Sequence, residues 1–436
     1  MKTTSFLLGS LALTLAFAAG CDGSSSSGEC TDADKPGCVV ESSKQRIQNP
    51  DVPAADTAEL VKGNSKFAFD LYQQLRAEQG NLFYSPYSIS LALAMTWAGA
   101  KGKTESDMAA TLGFTLPQDK LHPAFNGLDQ ALASRGKNAK ASDGMGFRLK
   151  IANALWGQVG FPFEQPFLDT LAVNYGAGMH IVDYETDPAG SVDLINNWID
   201  TQTEGKIPKL LSPDNIDSST RLILTNAIYF NAAWQTPFEE KDTKSGAFTK
   251  VDGSTENVDM MHLYLETGFA QDATYKATVL PYDGGELSMV VVMPEVGTLD
   301  TFESTLDATR VGEIVDGVTK SEYGVDLTFP KFKFDAQFGL KKALTSMGMG
   351  IAFDGADLSG ISSKGNLVIQ DVIHKAFVNV NEAGTEAAAA TAVIAGETSA
   401  PEPATMLIDH PFLFLIRDNA TGSILFVGRV EDPAAQ

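Results

Sequence analysis

The sequence predicts an α+β domain, and three observations carry that prediction. Apolar residues recur at helical spacing in the first third of the chain, whereas later segments are short apolar runs bounded by turn residues. Hydrophobic residues make up 44% of the 436, ample for a large core. No segment repeats at a period of about 20–50 residues, and no linker interrupts the chain after residue 55. One domain over residues 56–433 is therefore expected.

The chain opens with Lys2, an apolar run over 6–17 and then Ala18-Ala19-Gly20-Cys21. This is the pattern of a signal peptide occupying residues 1–20. Its last four residues resemble a bacterial lipobox, in which Cys21 takes the lipid and becomes the mature N-terminus. Soluble export after Ala18 is the alternative. The apolar run is too short for a membrane span. Residues 21–55, rich in Ser, Asp, Gly and Pro, read as a flexible tether. Within it Cys30 and Cys38 flank a polar loop, either as a small disulfide of an exported chain or as two reduced thiols. These are the last cysteines, so no disulfide is expected inside the domain.

The domain's elements follow in order. Residues 57–79 carry Phe67, Leu71 and Leu75 at helical spacing, with Gly80 as the stop. Residues 81–95, Asn-Leu-Phe-Tyr-Ser-Pro-Tyr-Ser-Ile-Ser-Leu-Ala-Leu-Ala-Met, are a turn feeding a helix that is apolar nearly all round, hence buried. Shorter amphipathic helices are expected over 104–112 and 123–133. A strand over 147–156, a helix over 164–175 and a helix over 192–203 closed by Gly205 come next. Residues 220–232 form a long apolar strand. From 278 onward strands dominate: 279–282 and 287–294 joined through Gly284-Gly285, then 325–334 ahead of a last helix over 338–347. An apolar run over 367–380 follows, and a hairpin of 411–417 with 423–430 ends the chain.

Composition and motifs exclude several functions. A net charge of −23 argues against nucleic acid and polyanion partners, which need basic patches. The stretch Gly99-Ala-Lys-Gly-Lys-Thr104 is not a phosphate loop, because the required glycine at 97 is Trp97 and the stretch follows a helix. There is no His-Glu-x-x-His or Gly-x-Ser-x-Gly, and five scattered histidines show no metal-ligand spacing. No catalysis, metal or cofactor is expected.

Residues 380–395 read Val-Asn-Glu-Ala-Gly-Thr-Glu-Ala-Ala-Ala-Ala-Thr-Ala-Val-Ile-Ala. Taken alone, this is an Ala-rich helix or a linker. In extended form, however, Thr385, Ala387, Ala389, Thr391 and Val393 share one uncharged face of small side chains, with Glu386 on the other. Such a segment fits into a sheet as a new strand. The polar, Pro-containing stretch 396–404 after it reads as exposed and cleavable.

The run Asn381-Glu382-Ala383-Gly384-Thr385-Glu386-Ala387-Ala388-Ala389-Ala390-Thr391 resembles the hinge of the reactive-centre loop of inhibitory serpins. Residues 81–95, 196–207 and 224–238 also resemble serpin segments, in the family's order, so the resemblance spans about 57–433. It implies a large central sheet covered by helices, further sheets, and an exposed loop over about 383–405. It also implies a suicide-substrate inhibitor, trapping its protease when the cut loop enters the sheet. Counting sixteen positions from Glu382 places the attacked bond at Thr398–Ser399, within 397–400. The small residues there suit an elastase- or subtilisin-like serine protease, or else a cysteine protease.

By the same resemblance Ser85, Ser88, Asn226 and His374 form the polar "shutter" beneath the parting sheet, and Trp234 marks the "breach" where the hinge enters. Read alone, His374 is a paired core histidine and Trp234 a core aromatic. The expected molecule is a monomer, exported and held to a membrane by lipid, in the periplasm or at the cell surface, or else secreted. The rivals are a non-inhibitory serpin acting as a binding protein and a surface adhesin. A non-inhibitory hinge is expected to carry bulky, charged or Pro residues, and 384–395 has no Pro and no charge beyond Glu386.

Overall fold

The computed structural model describes residues 35–435 apart from 138, 141–146, 320–322, 366 and 386–402. In chain order the first elements are β1 (Val39–Val40), α1 (Ala54–Leu75), β2 (Leu82–Tyr84), α2 (Pro86–Trp97), α3 (Gly102–Leu112) and α4 (Gln118–Ala133). Then come β3 (Arg148–Gln158), α5 (Gln165–Tyr175), β4 (Met179–Val182), α6 (Pro188–Gln202) and β5 (Leu222–Ala233). The second half begins with β6 (Lys244–Thr249), β7 (Thr255–Thr267), β8 (Phe269–Gln271), β9 (Tyr275–Pro281), β10 (Leu287–Pro294), α7 (Leu299–Ser304) and α8 (Ala308–Thr319). It continues with β11 (Tyr323–Pro330), β12 (Phe332–Gly339), α9 (Lys341–Leu344), β13 (Asp371–Asn381) and β14 (Gly384–Thr385). Strands β15 (Ala404–Leu407), β16 (Phe412–Asp418) and β17 (Ile424–Val430) complete it.

The described strands form three sheets. The central one has the order β1-β4-β3-β5-β14-β13-β12, the second β2-β17-β16-β10-β9-β8 and the third β15-β11-β7-β6. Residue pattern explains the places. All but the last residue of β5 are buried, as a strand covered on both faces requires. Edge strand β12 alternates buried Phe332, Phe334 and Ala336 with exposed Lys333, Asp335 and Gln337. Behind the sheet lies the main core, with α2 buried along its whole length. Ser85 caps α2 by accepting from the Ser88 N–H, and Pro86 occupies the first helical position. In front, α6 sets Val192, Ile195 and Ile199 over Trp156, Ile223, Ala227 and Ile373, a second core that straddles β3, β5 and β13.

Four expectations are corrected. The strand read over 325–334 is two, β11 in the third sheet and β12 in the central one, parted at Lys331 just after Pro330. The last helix is short because β12 runs on to Gly339 and Gly348 takes a φ of 117°. Helix α4 starts five residues before Pro123, which lies in its second turn rather than at its start. Finally, the tether reading fails for 35–53: these residues lie against the domain, and β1 extends the central sheet. Strands β6 and β7 and helices α7 and α8 had no counterpart in the sequence reading.

Candidate functional site

The site is the seam between β5 and β13. Residues 371–376 of β13 pair in parallel with 223–228 of β5. Further along, β14 lies between them, antiparallel to both, with Thr385 opposite Val380 and Ala232. The sheet is thus closed at one end and parted at the other, and the gap holds the first residues after the β13 turn. Gly384 is required there: its φ is 155°, and a Cβ would lie 2.2 Å from the Ala232 carbonyl oxygen.

Side chains from several elements hold the parted end. Trp234 donates from its backbone N–H to the Ala383 carbonyl and from Nε1 to the Asn381 carbonyl, both at 2.9 Å. Its ring stacks on Tyr282 at 4.7 Å. The Tyr282 hydroxyl shares a 2.8 Å hydrogen bond with Thr385 Oγ1, and both residues are buried. Burial raises the Tyr282 pKa, so the phenol stays neutral. Glu382 accepts from the Thr243 hydroxyl at 2.7 Å and pairs with Lys331 at 3.0 Å. Burial pushes its carboxyl up, but the hydrogen bonds from Thr243 and Lys331 outweigh this and hold it below its ordinary value.

At the closed end a buried polar network crosses the seam. His374 on β13 lies in register with Asn226 on β5. The Ser85 backbone N–H donates to His374 Nε2 at 3.2 Å, so Nδ1 carries the proton and donates to Asn226 Oδ1. Asn226 Nδ2 donates to Ser88 Oγ at 2.7 Å and to Asn153 Oδ1. Asn153 in turn donates to the Ser88 carbonyl at 2.9 Å. Burial drives the His374 pKa down to about 3, keeping the imidazole neutral. No polar atom in this set is left without a partner, as a buried network requires.

Ser85, Ser88, Asn226 and His374 thus meet at one end of the seam, and Trp234, Glu382, Gly384 and Thr385 at the other. Glu386, Ala387, Ala388, Ala389, Ala390, Thr391, Thr398 and Ser399 lie outside the described residues, as do Cys21 and Cys30. Cys38 is disulfide-bonded. Sequence reasoning missed Asn153, Thr243, Tyr282 and Lys331. Asn153 alone gave a signal, as an amide inside an apolar strand.

This geometry defines a class: α+β proteins whose large central sheet admits a segment of the same chain between two parallel-paired strands. Residues 62–433 match the family model Serpin (serine protease inhibitor). Human serpin B3 is 38% identical over 392 residues, covering 86% of this chain and 99% of that one. The leukocyte elastase inhibitor of Xenopus laevis is 39% identical over 385 residues, covering 86% and 99%. Among solved structures, the thermophilic serpin tengpin in its native state superposes with a TM-score of 0.77 at 28% identity, covering 90% of this chain and 97% of that one. The chain belongs to the serpin family.

Proposed function

We propose that this serpin is not an enzyme but a suicide-substrate inhibitor of a serine protease. One observation carries the reading: β14 already lies between β5 and β13, and the residues continuing it are small and uncharged beyond Glu386. The protease attacks the loop, at Thr398–Ser399 or within 397–400, and forms an acyl-enzyme. The freed hinge then extends β14 along the seam. About 12–15 inserted residues at ~3.3 Å each carry the bound protease roughly 40–50 Å. Two new ladders at about 0.5–1.5 kcal/mol per hydrogen bond give on the order of 10–30 kcal/mol gross. That exceeds the usual stability of a domain, enough to distort the protease before it deacylates. In this reading Ser85, Ser88, Asn226 and His374 form the shutter that opens, Trp234 marks the breach, and the partner is an elastase- or subtilisin-like enzyme.

Mixing the protein with subtilisin or pancreatic elastase and running denaturing gels tests this. A covalent band at the summed mass is expected. Cleavage with no such band for either enzyme contradicts inhibition and favours the binding-protein reading.

We also propose that the chain is exported and anchored through lipid on Cys21, from the signal-like residues before it. Cys21→Ser should move the protein from membranes to a soluble exported fraction. Unchanged membrane retention would contradict the anchor.

A further inference from the structure

A cavity of about 490 Å³ lies between the end of α1, the β6–β7 turn, α7 and the end of β17. None of its lining residues belongs to β5, β13 or β14, so it is separate from the seam. Small-molecule sites span roughly 300–1,000 Å³, and this cavity falls within that range.

Its floor is buried and charged. Glu303 on α7 and Arg429 on β17 are each 2% exposed, and Glu431 lies beside them. Arg429 spends most of its guanidinium on backbone carbonyls: Arg76 at 3.1 Å, Glu78 at 2.6 Å and Gly80 at 2.7 Å. The two carboxylates receive only a 3.3 Å bond from Nη1 to Glu303 Oε1 and a 3.1 Å approach of Nε to Glu431 Oε1. One shared cation thus serves two carboxylates. Burial pushes the Glu431 carboxyl above its ordinary value, and the nearby Glu303 adds to this, against the pull of Arg429 and the Gly80 N–H.

Glu303 is also half unsatisfied. Its Oε1 accepts from both Arg429 and the Tyr72 hydroxyl. Its Oε2 takes no hydrogen bond from the described residues and is not sealed off, so it meets the open space of the cavity. A carboxylate oxygen in so buried a residue is costly without a donor.

The rim does not supply that donor. Arg76 is paired with Asp300 and Lys250 with Asp432, both at 2.8 Å. Among the described residues lining the cavity, six are carboxylates and three are cationic. An anion is therefore repelled, and a neutral molecule adds no charge to the floor. The walls add apolar surface from Ala77, Leu299 and Val251, the last of which is 59% exposed.

We propose that this cavity binds a small organic cation, a primary amine or guanidine carried on a short aliphatic or aryl body. The cationic head donates to Glu303 Oε2 beside Glu431, and the body lies against Ala77, Val251 and Leu299.

The test titrates the full-length protein calorimetrically with 1-pentylamine, 1-pentanol and pentanoate, which share a body and differ in charge. At about 0.15 M salt, general attraction to the acidic surface is largely screened. Pentylamine should bind saturably, at least roughly tenfold more tightly than 1-pentanol, the ratio equivalent to one charge-assisted hydrogen bond. Pentanoate should bind most weakly. Glu303→Gln, which still offers an acceptor to Tyr72 and Arg429, should weaken pentylamine by about the same tenfold and leave 1-pentanol nearly unchanged. Leu299→Trp fills the cavity without touching the ion pairs, and should abolish binding of amine and alcohol alike even where Glu303→Gln does not fold. No saturable binding of pentylamine, equal affinities for amine and alcohol, or amine binding that survives Leu299→Trp would overturn the proposal.

Discussion

His374 is neutral because it is buried, accepts from Ser85 and donates to Asn226. Its ordinary pKa of 6.5 falls to about 3 in the fold. Between these values the unfolded chain binds a proton that the folded chain refuses, so stability rises with pH through that window and is flat above it. His122 and His180, both lowered to about 4 by burial, act in the same direction. Urea midpoints should therefore fall as pH drops below about 6.5. His374→Gln should flatten part of that slope, while stranding polar atoms at a cost of about 1–3 kcal/mol. A midpoint independent of pH over that range would contradict the assignment.

At the scale of elements, the proposed hinge begins in the short strand β14. Thr385 is buried against Tyr282, so Thr385→Arg sets a charge where the sheet must close, costing roughly several kcal/mol if unpaired. The variant should be cut at the same bond yet turn over as a substrate and release active protease. Glu386→Arg, on the opposite parity of the strand, should do much less. Equal inhibition by both variants and the parent would refute the inward face of Thr385.

The small residues and the alternation of 385–393 could be read in the sequence because they are local, and the hinge role rests on the proposal above. Ser85, Ser88, Asn226 and His374 could be grouped only through family resemblance, since they come from three separate segments. Thr243, Tyr282 and Lys331 stayed hidden because they reach Glu382 and Thr385 from other parts of the chain. The break at Lys331 was masked by apolar residues on both sides, where the chain changes sheets. Residues 35–53 resemble a tether in sequence because backbone hydrogen bonds and surface ion pairs, rather than apolar periodicity, seat them.

For the molecule as a whole, the folded state has a central sheet parted at one end and two cores that meet across it. The core under α6 joins Ile223 of β5 to Ile373 of β13, so a strand entering between them must break and remake it. If the loop inserts as proposed, this state persists through its barrier rather than its depth. Completing the sheet should leave a more stable molecule. The most direct test is calorimetry of the chain cut within 396–400, compared with the intact chain. Strand insertion predicts a melting temperature well above that of the intact protein, with the N-terminal part of the loop protected from further proteolysis. A cut chain that melts at or below the intact temperature would contradict insertion.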